Sequence, residues 1–307
     1  MAQCCLKVIF AKYLLDRSVV TELEQYPFLD APHSDVYEGK LDNKPVALKR
    51  WRVSRASNEQ TETTLKTLVK KLDEWRSTSS HPNILSFLGL CEGNGRVPVL
   101  ILPRLRYNIA RFVGENSRVD KLALAYQLAE ALSYIHSQDP PIVHGSIKDT
   151  NVLISCDHKV MVTDIGIYAT FLNPEMSQDW RPSDRPRFQP PEQLMRSDVD
   201  AMQPSTDVWS FAMVVLQMYT GSLPYGHLLN PNTAILHIAQ GHLPPQPDET
   251  LVSSDLWHEF CLTLDPSSAG ETRSTKKITL DVRAVSHCKG CSNIAILWFW
   301  ITVSLRS

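Results

Sequence analysis

Hydrophobic residues in the first third of the chain fall into short runs separated by turn signals. The run over residues 35–53, "DVYEGKLDNKPVALKRWRV", is divided by "LDNKP", which predicts a β-hairpin. The apolar runs 83–92 and 96–103 predict a second hairpin. Between the two hairpins, apolar residues recur at helical spacing. These residues are Leu65, Leu68, Val69, Leu72 and Trp75.

Later in the chain the apolar pattern is mainly helical. Residues 120–137, "DKLALAYQLAEALSYIHS", predict an amphipathic helix with Asp120 as its N-cap. Residues 205–221, "STDVWSFAMVVLQMYTG", are almost entirely apolar and predict a helix that is buried on most sides. We expect this helix to start with a cap at Ser205–Asp207 and to stop at Gly221.

Two short strands, 151–155 and 159–164, are predicted between these helices. The order of elements predicts an α+β fold with two lobes, a small β-rich lobe followed by a larger helical lobe. The predicted division is a helical N-terminal extension over 1–23, the small lobe over 24–103, the large lobe over 104–268, and an atypical tail over 269–307. The tail contains the apolar run "IAILWFWITV", which is either a buried strand, an exposed patch, or sequence that does not fold.

Composition and charge exclude several classes of protein. The 307 residues are 43% hydrophobic and 21% charged, which is typical of a globular protein. A net charge of -2 argues against nucleic acid or an anionic membrane as the main partner. No run reaches the ~20 apolar residues of a membrane-spanning helix. Seven irregularly spaced cysteines do not resemble a disulfide framework and favour a reducing, cytoplasmic location.

Candidate chemistry is concentrated in "VHGSIKDTNVLI", residues 143–154. The pattern predicts a tight polar turn between a helix and a short strand. Such a turn brings His144, Ser146, Lys148 and Asn151 close together. These side chains are suited to handling phosphate and a metal ion.

Five segments occur in an order that resembles the eukaryotic-type protein kinase domain, over roughly residues 24 to 268. They are "VALK" (46–49), the polar turn, "TDIG" (163–166), "QPPE" (189–192) and "DVWSF" (207–211). The segments "HPNIL" and "YIHS" resemble tyrosine-kinase-like members of that superfamily. The resemblance implies a bilobal kinase fold, ATP and Mg²⁺ as cofactors, and proteins as substrates or partners.

The resemblance also assigns roles to individual residues. Lys49 would hold the α- and β-phosphates, and Lys148 would steady the γ-phosphate. The positions implied for ATP binding are Lys49, Val36, Ala47, Asn151 and Asp164, of which Asn151 and Asp164 would also bind Mg²⁺.

Several family residues are replaced. The catalytic base of the family is an aspartate two residues after the catalytic-loop histidine, and that position is Ser146. The family has three glycines that let backbone N–H groups come close to phosphate. Leu29, Ala31 and Ser34 stand at these positions in this chain. The helix glutamate that pairs with Lys49 has no clear counterpart. Glu62 is one candidate and Glu74 is another, and the third possibility is that neither residue pairs with Lys49.

These replacements predict a kinase-like signalling protein with weak or absent phosphotransfer, a pseudokinase that still binds ATP and acts through protein partners. One alternative is a slow but active Ser/Thr kinase that tolerates Ser146. The other is a remnant or mispredicted product, because Ala269 and Gly270 stand where the family closes with Arg-Pro.

Overall fold

The computed structural model describes residues 10–22, 26–31, 34–52, 58–93, 97–171, 185–195, 202–252 and 254–264. The predicted tail, 269–307, therefore lies outside the described residues. The chain divides into two compact units. The first draws on Met1–Ser80, Leu85–Arg106 and Asp164–Ser183, and the second on His81–Ile84, Tyr107–Thr163 and Asp184–Ser307. The first unit is β-rich and the second is mainly helical, which confirms the predicted fold class.

An antiparallel sheet of six strands forms the main part of the first unit. Its strands are β1 (Val20–Glu22), β2 (Leu29–Ala31), β3 (Ser34–Leu41), β4 (Lys44–Trp51), β5 (Gly89–Cys91) and β6 (Val99–Pro103). The order is β1-β3-β4-β6-β5, and β2 also pairs with β3. The two predicted hairpins are β3–β4 and β5–β6, so both are confirmed. Asp42 and Asn43 connect β3 to β4 with φ of 48° and 65°, as a two-residue hairpin turn requires.

The two faces of this sheet have different roles. Side chains alternate between faces along each strand. Val46 and Leu48 of β4 join Val99 and Ile101 of β6 in one buried cluster. Ala47, between Val46 and Leu48, and Lys49, directly after Leu48, therefore project from the opposite face.

The helix α1 (Asn58–Thr78) follows the sheet hairpin β3–β4 along the chain. Its buried residues include Leu65, Leu68, Leu72 and Trp75, which confirms the predicted helical spacing. The Trp75 indole Nε1–H donates to the Leu85 carbonyl at 2.7 Å. Helix α1 also packs against a short 3₁₀ turn, Ile167–Phe171.

The predicted N-terminal helix is wrong for the described residues 10–22. This segment contains a 3₁₀ turn at Arg17–Val19 and then strand β1. The Leu15 N–H donates to the Leu90 carbonyl at 2.8 Å, and the Leu90 N–H donates to the Tyr13 carbonyl at 2.8 Å. Residues 13–15 therefore form hydrogen bonds with the backbone of edge strand β5. This tertiary pairing overrides the local helix propensity of the segment.

The second unit contains the other described helices and a small sheet. The helices are α2 (Ile109–Glu115), α3 (Lys121–His136), α4 (Pro191–Met195), α5 (Pro204–Thr220), α6 (Pro231–Ala239) and α7 (Ser254–Leu264). The antiparallel strands β7 (Tyr107–Asn108), β8 (Val152–Ile154) and β9 (Val160–Val162) form the sheet in that order. Asp120 caps α3 as predicted, since its side chain accepts a hydrogen bond from the Ala123 N–H at 3.0 Å.

The start of α5 differs from the prediction. Helix α5 begins at Pro204, its N-cap is Gln203, and no side chain caps it. Gly221 does end the helix, with φ of 69° and its N–H donating to the Gln217 carbonyl at 2.8 Å. Asp207 is not a cap. It is buried and 1% exposed, and it binds the loop described below.

Candidate active site

Lys49 lies in β4 on the face of the sheet opposite to the buried cluster. Val36 pairs directly with Lys49 across the β3–β4 ladder, so both side chains project from the same face. Ala47 lies two residues before Lys49 in β4 and shares that face. Val36 and Ala47 are both buried. The structure therefore brings these three predicted ATP-binding residues together.

Asp164 completes this group. Its Oδ2 atom forms a salt bridge with the Lys49 Nζ, and the two side chains are 8% and 13% exposed. Its Oδ1 atom is buried and has no hydrogen-bond partner in the described part of the chain. Asp164 has φ of 65°, which is uncommon for a residue other than glycine. A buried carboxylate oxygen without a partner fits a hard cation such as Mg²⁺.

Neither candidate helix glutamate reaches Lys49. Glu62 accepts from Lys66 at 2.8 Å, and Glu74 accepts from Lys71 at 2.7 Å. Both partners lie three or four residues away on α1, where side chains of a helix meet. The hydrogen bond from Lys66 holds the pKa of Glu62 below its usual value. Of the three possibilities left by the sequence, the structure shows the third.

The segment without the three glycines folds as part of a hairpin. Strands β2 and β3 pair from Leu29↔Val36 to Ala31↔Ser34, and residues 32 and 33 lie outside the described part of the chain. Arg52 holds the β3 side of this hairpin, because its guanidinium donates to both carboxylate oxygens of Asp35, at 3.0 and 2.5 Å. The ladder thus reaches two of the three positions at which the family has glycine, residues 31 and 34.

The polar turn lies in the second unit and is held by Asp207. The N–H groups of His144 and Gly145 each donate to the Asp207 carboxylate at 2.8 Å. The His136 Nε2 atom lies 2.9 Å from the same carboxylate. Three buried groups therefore depend on one carboxylate. Sequence reasoning gave Asp207 a cap role, although an acidic residue in an almost wholly apolar helix was a signal for a buried role.

His144 is fully buried, and its surroundings fix its tautomer. The Nε2 atom lies 2.9 Å from the Thr163 carbonyl oxygen, which only accepts, so Nε2 carries the proton. The Nδ1 atom accepts a hydrogen bond from the Ser146 N–H at 3.3 Å. The imidazole ring thereby links the turn to the residue just before Asp164.

Ser146 lies at the predicted catalytic-base position and is 9% exposed. Its carbonyl accepts a hydrogen bond from the Asn151 Nδ2 at 2.9 Å. This bond uses the amide nitrogen of Asn151 and leaves the amide oxygen as the atom suited to a metal ion. Lys148 is half-buried and precedes the short 3₁₀ turn Asp149–Asn151.

A buried arginine that sequence reasoning missed binds this turn. The Arg185 Nε–H donates to the Ser146 hydroxyl oxygen at 3.1 Å, and its Nη2 donates to the Gly145 carbonyl at 3.0 Å. The Gln193 Nε2 donates to the same carbonyl at 3.3 Å. Gly145 has φ of 71°, a conformation that is strained for a residue with a side chain, so the turn favours glycine there.

Comparison with known proteins identifies the family. The family model for protein tyrosine and serine/threonine kinases matches residues 31–269, which is most of the chain. The chain belongs to the protein kinase family. Its α+β fold is the bilobal kinase fold that the sequence predicted.

Individual relatives are kinases with long chains. The MAP kinase kinase kinase wis4 of Schizosaccharomyces pombe is 28% identical over 270 residues, which cover 76% of this chain and 17% of the relative. The dual specificity protein kinase shkD of Dictyostelium discoideum is 28% identical over 255 residues, covering 80% of this chain and 33% of the relative. The chain thus spans a third or less of the length of these relatives.

No helix in the described part of the chain is both long and apolar enough to cross a bilayer.

Proposed function

We propose that this kinase domain has weak or absent phosphotransfer and works as a pseudokinase, through protein partners in the cytoplasm. The observation that carries this proposal is Ser146 at the catalytic-base position. An aspartate is ionised at neutral pH and accepts a hydrogen bond from a substrate hydroxyl. A serine hydroxyl is neutral and is no base at that pH. General-base catalysis contributes roughly 10²–10⁴-fold, so its absence leaves a slow reaction.

Two further features support slow chemistry. The three glycine positions of the family hold Leu29, Ala31 and Ser34, whose side chains keep backbone N–H groups away from phosphate. Lys49 pairs with Asp164, and both candidate helix glutamates pair with lysines of their own helix. Positioning of the phosphates, on which phosphoryl transfer mainly depends, is thereby weakened.

Nucleotide binding is a separate part of the proposal. Lys49 and Asp164 are present and adjacent, and the Oδ1 atom of Asp164 has no partner in the described structure. We propose that ATP and Mg²⁺ bind weakly, with Asp164 and Asn151 as metal ligands and Lys148 near the γ-phosphate. The bound Mg²⁺ would neutralise phosphate charge.

The test combines a binding assay with an activity assay on the same preparation. Thermal shift with ATP, with and without Mg²⁺, should show Mg²⁺-dependent stabilisation, and phosphotransfer to a generic peptide should stay far below the ordinary kinase range of about 1–100 s⁻¹. Turnover within that range would overturn the pseudokinase proposal. An unchanged melting temperature at millimolar ATP and Mg²⁺ would overturn the nucleotide proposal.

A second candidate function is a slow Ser/Thr protein kinase. The observation that favours it is the retained Lys49–Asp164 pair, together with the amide oxygen of Asn151. Under this candidate, the wild type sustains a rate within about 10²-fold of the ordinary kinase range, and Asp164→Asn abolishes that rate. Under the pseudokinase proposal, the wild-type rate lies further below that range than about 10²-fold.

A further inference from the structure

We propose that the Arg185 guanidinium binds the side chain at position 146, the catalytic-base position of the family. The side chain at this position is thereby bound by another residue of the same chain and not by a substrate hydroxyl. This inference rests on the proposed function, because it predicts that Ser146→Asp alone will not recreate a catalytic base. It assigns Arg185 as a positioning residue that holds the polar turn.

The contacts of Arg185 are specific and buried. The side chain is 7% exposed, and it uses two different nitrogen atoms on two adjacent residues. One atom binds the Ser146 hydroxyl oxygen at 3.1 Å and the other binds the Gly145 carbonyl at 3.0 Å. The planar guanidinium has its donors in a fixed geometry, so two simultaneous bonds fix its position against the turn.

The positive charge of Arg185 determines how a carboxylate introduced at position 146 would behave. Replacing serine by aspartate extends the side chain by one bond, which places carboxylate oxygens against the guanidinium. Hydrogen bonds between a guanidinium and a carboxylate are about twice as strong as neutral ones. The carboxylate introduced by Ser146→Asp would therefore bind Arg185 in preference to a neutral substrate hydroxyl. The neighbouring positive charge also lowers the pKa of that carboxylate and makes it a weaker base.

The chain offers a matched control in Arg187. This arginine lies in the same 3₁₀ turn, Arg185–Phe188, and is also buried. Its guanidinium donates to the carbonyls of Tyr225 and Leu228, at 2.6 and 2.7 Å. Arg187→Met thus removes a buried guanidinium of the same turn without removing a contact to Ser146.

The experiment compares Ser146→Asp, Arg185→Met and Arg187→Met, singly and with Ser146→Asp combined with each arginine variant. Phosphotransfer by Ser146→Asp/Arg185→Met should exceed that of Ser146→Asp by at least about tenfold, a part of what a positioned base contributes. Ser146→Asp/Arg187→Met should show no such gain. Equal transfer above background by Ser146→Asp and Ser146→Asp/Arg185→Met would overturn the inference, because Arg185 would then not restrain the carboxylate.

Melting temperatures of the same variants decide the inference even where no variant transfers phosphate. The changes caused by Ser146→Asp and Arg185→Met should be non-additive, with Ser146→Asp lowering the melting temperature more when Arg185 is absent. The changes caused by Ser146→Asp and Arg187→Met should add. Additivity in both pairs would overturn the inference. If Arg185→Met does not fold, Arg185→Gln, which keeps an amide donor for the Gly145 carbonyl, takes its place in both measurements.

Failure of the proposed function gives a different result. Wild-type turnover at ordinary kinase rates would overturn the pseudokinase proposal, whereas the melting temperatures test the contact between positions 146 and 185 whatever the wild-type turnover is.

Discussion

Replacing Asp207 by asparagine should destabilise the fold by removing part of the acceptor on which the polar turn depends. One carboxylate oxygen, Oδ2, accepts from the His144 N–H and lies next to the His136 ring nitrogen, and the other, Oδ1, accepts from the Gly145 N–H. An asparagine keeps one oxygen. In its better orientation that oxygen takes the Oδ2 position, and the new NH₂ group faces the Gly145 N–H, which is also a donor.

The magnitude follows from that geometry. A hydrogen bond to a charged group contributes about 1.5–3 kcal/mol, and a buried donor left without an acceptor costs about 1–3 kcal/mol. At least one such bond is lost and two donors face each other, so we expect Asp207→Asn to lower the free energy of unfolding by about 2–4 kcal/mol. Asp207→Ala should cost more, because all three groups lose their acceptor.

Urea unfolding followed by tryptophan fluorescence measures this change, since Trp209 lies two residues away in α5 and is buried. Asp248→Asn is the control. Asp248 also accepts two hydrogen bonds, from the N–H and the hydroxyl of Thr250, but these bonds are exposed to solvent. A loss for Asp207→Asn no larger than that for Asp248→Asn would refute the assigned role of Asp207.

Three further predictions concern the nucleotide, the tail and pH. MgATP at 100 times its Kd should stabilise the protein by about 2.7 kcal/mol, and Lys49→Met should remove most of this stabilisation in a thermal-shift assay. An equal shift in the variant would contradict the proposed contact between Lys49 and phosphate. Deleting residues 270–307 should leave the melting temperature unchanged or raise it, since they lie outside the family match; a large fall would show that the tail packs on the domain. Burial, with His242 and His227 close by, lowers the pKa of His237, so the folded state binds fewer protons than the unfolded state. Stability should therefore fall as the pH drops from about 7.5 to about 5.5, through the ordinary histidine pKa of about 6.5. His237→Gln should reduce this loss of stability, measured as the difference in melting temperature between the two pH values. An unchanged difference would assign the pH dependence to other groups.

Patterns that depend on local repetition predicted much of the fold. The β3–β4 and β5–β6 hairpins, helix α1 and the Asp120 cap all follow from residues close in sequence. The N-terminal prediction failed because residues 13–15 pair with β5, about 75 residues later in the chain, and no local pattern encodes that partner.

The candidate site was predictable where the family has a fixed motif, and it was not where contacts are particular to this chain. Val36, Ala47, Lys49 and Asp164 are brought together as the resemblance implied. The contact between Arg185 and Ser146 joins residues 39 positions apart, and the arginine belongs to no motif recognised in the sequence. A choice between Glu62, Glu74 and neither depended on which helix face meets Lys49, and the apolar spacing alone did not decide it.

The central claim is that position 146 lacks a catalytic base in an otherwise recognisable kinase site. Its most direct test is the rate of γ-phosphate transfer to a generic peptide by the wild-type chain at saturating MgATP, with Asp164→Asn as the background. We expect a wild-type rate at least about 10²-fold below the ordinary range of about 1–100 s⁻¹, because the contribution of a general base is absent. A wild-type rate within the ordinary range that Asp164→Asn abolishes would contradict the claim.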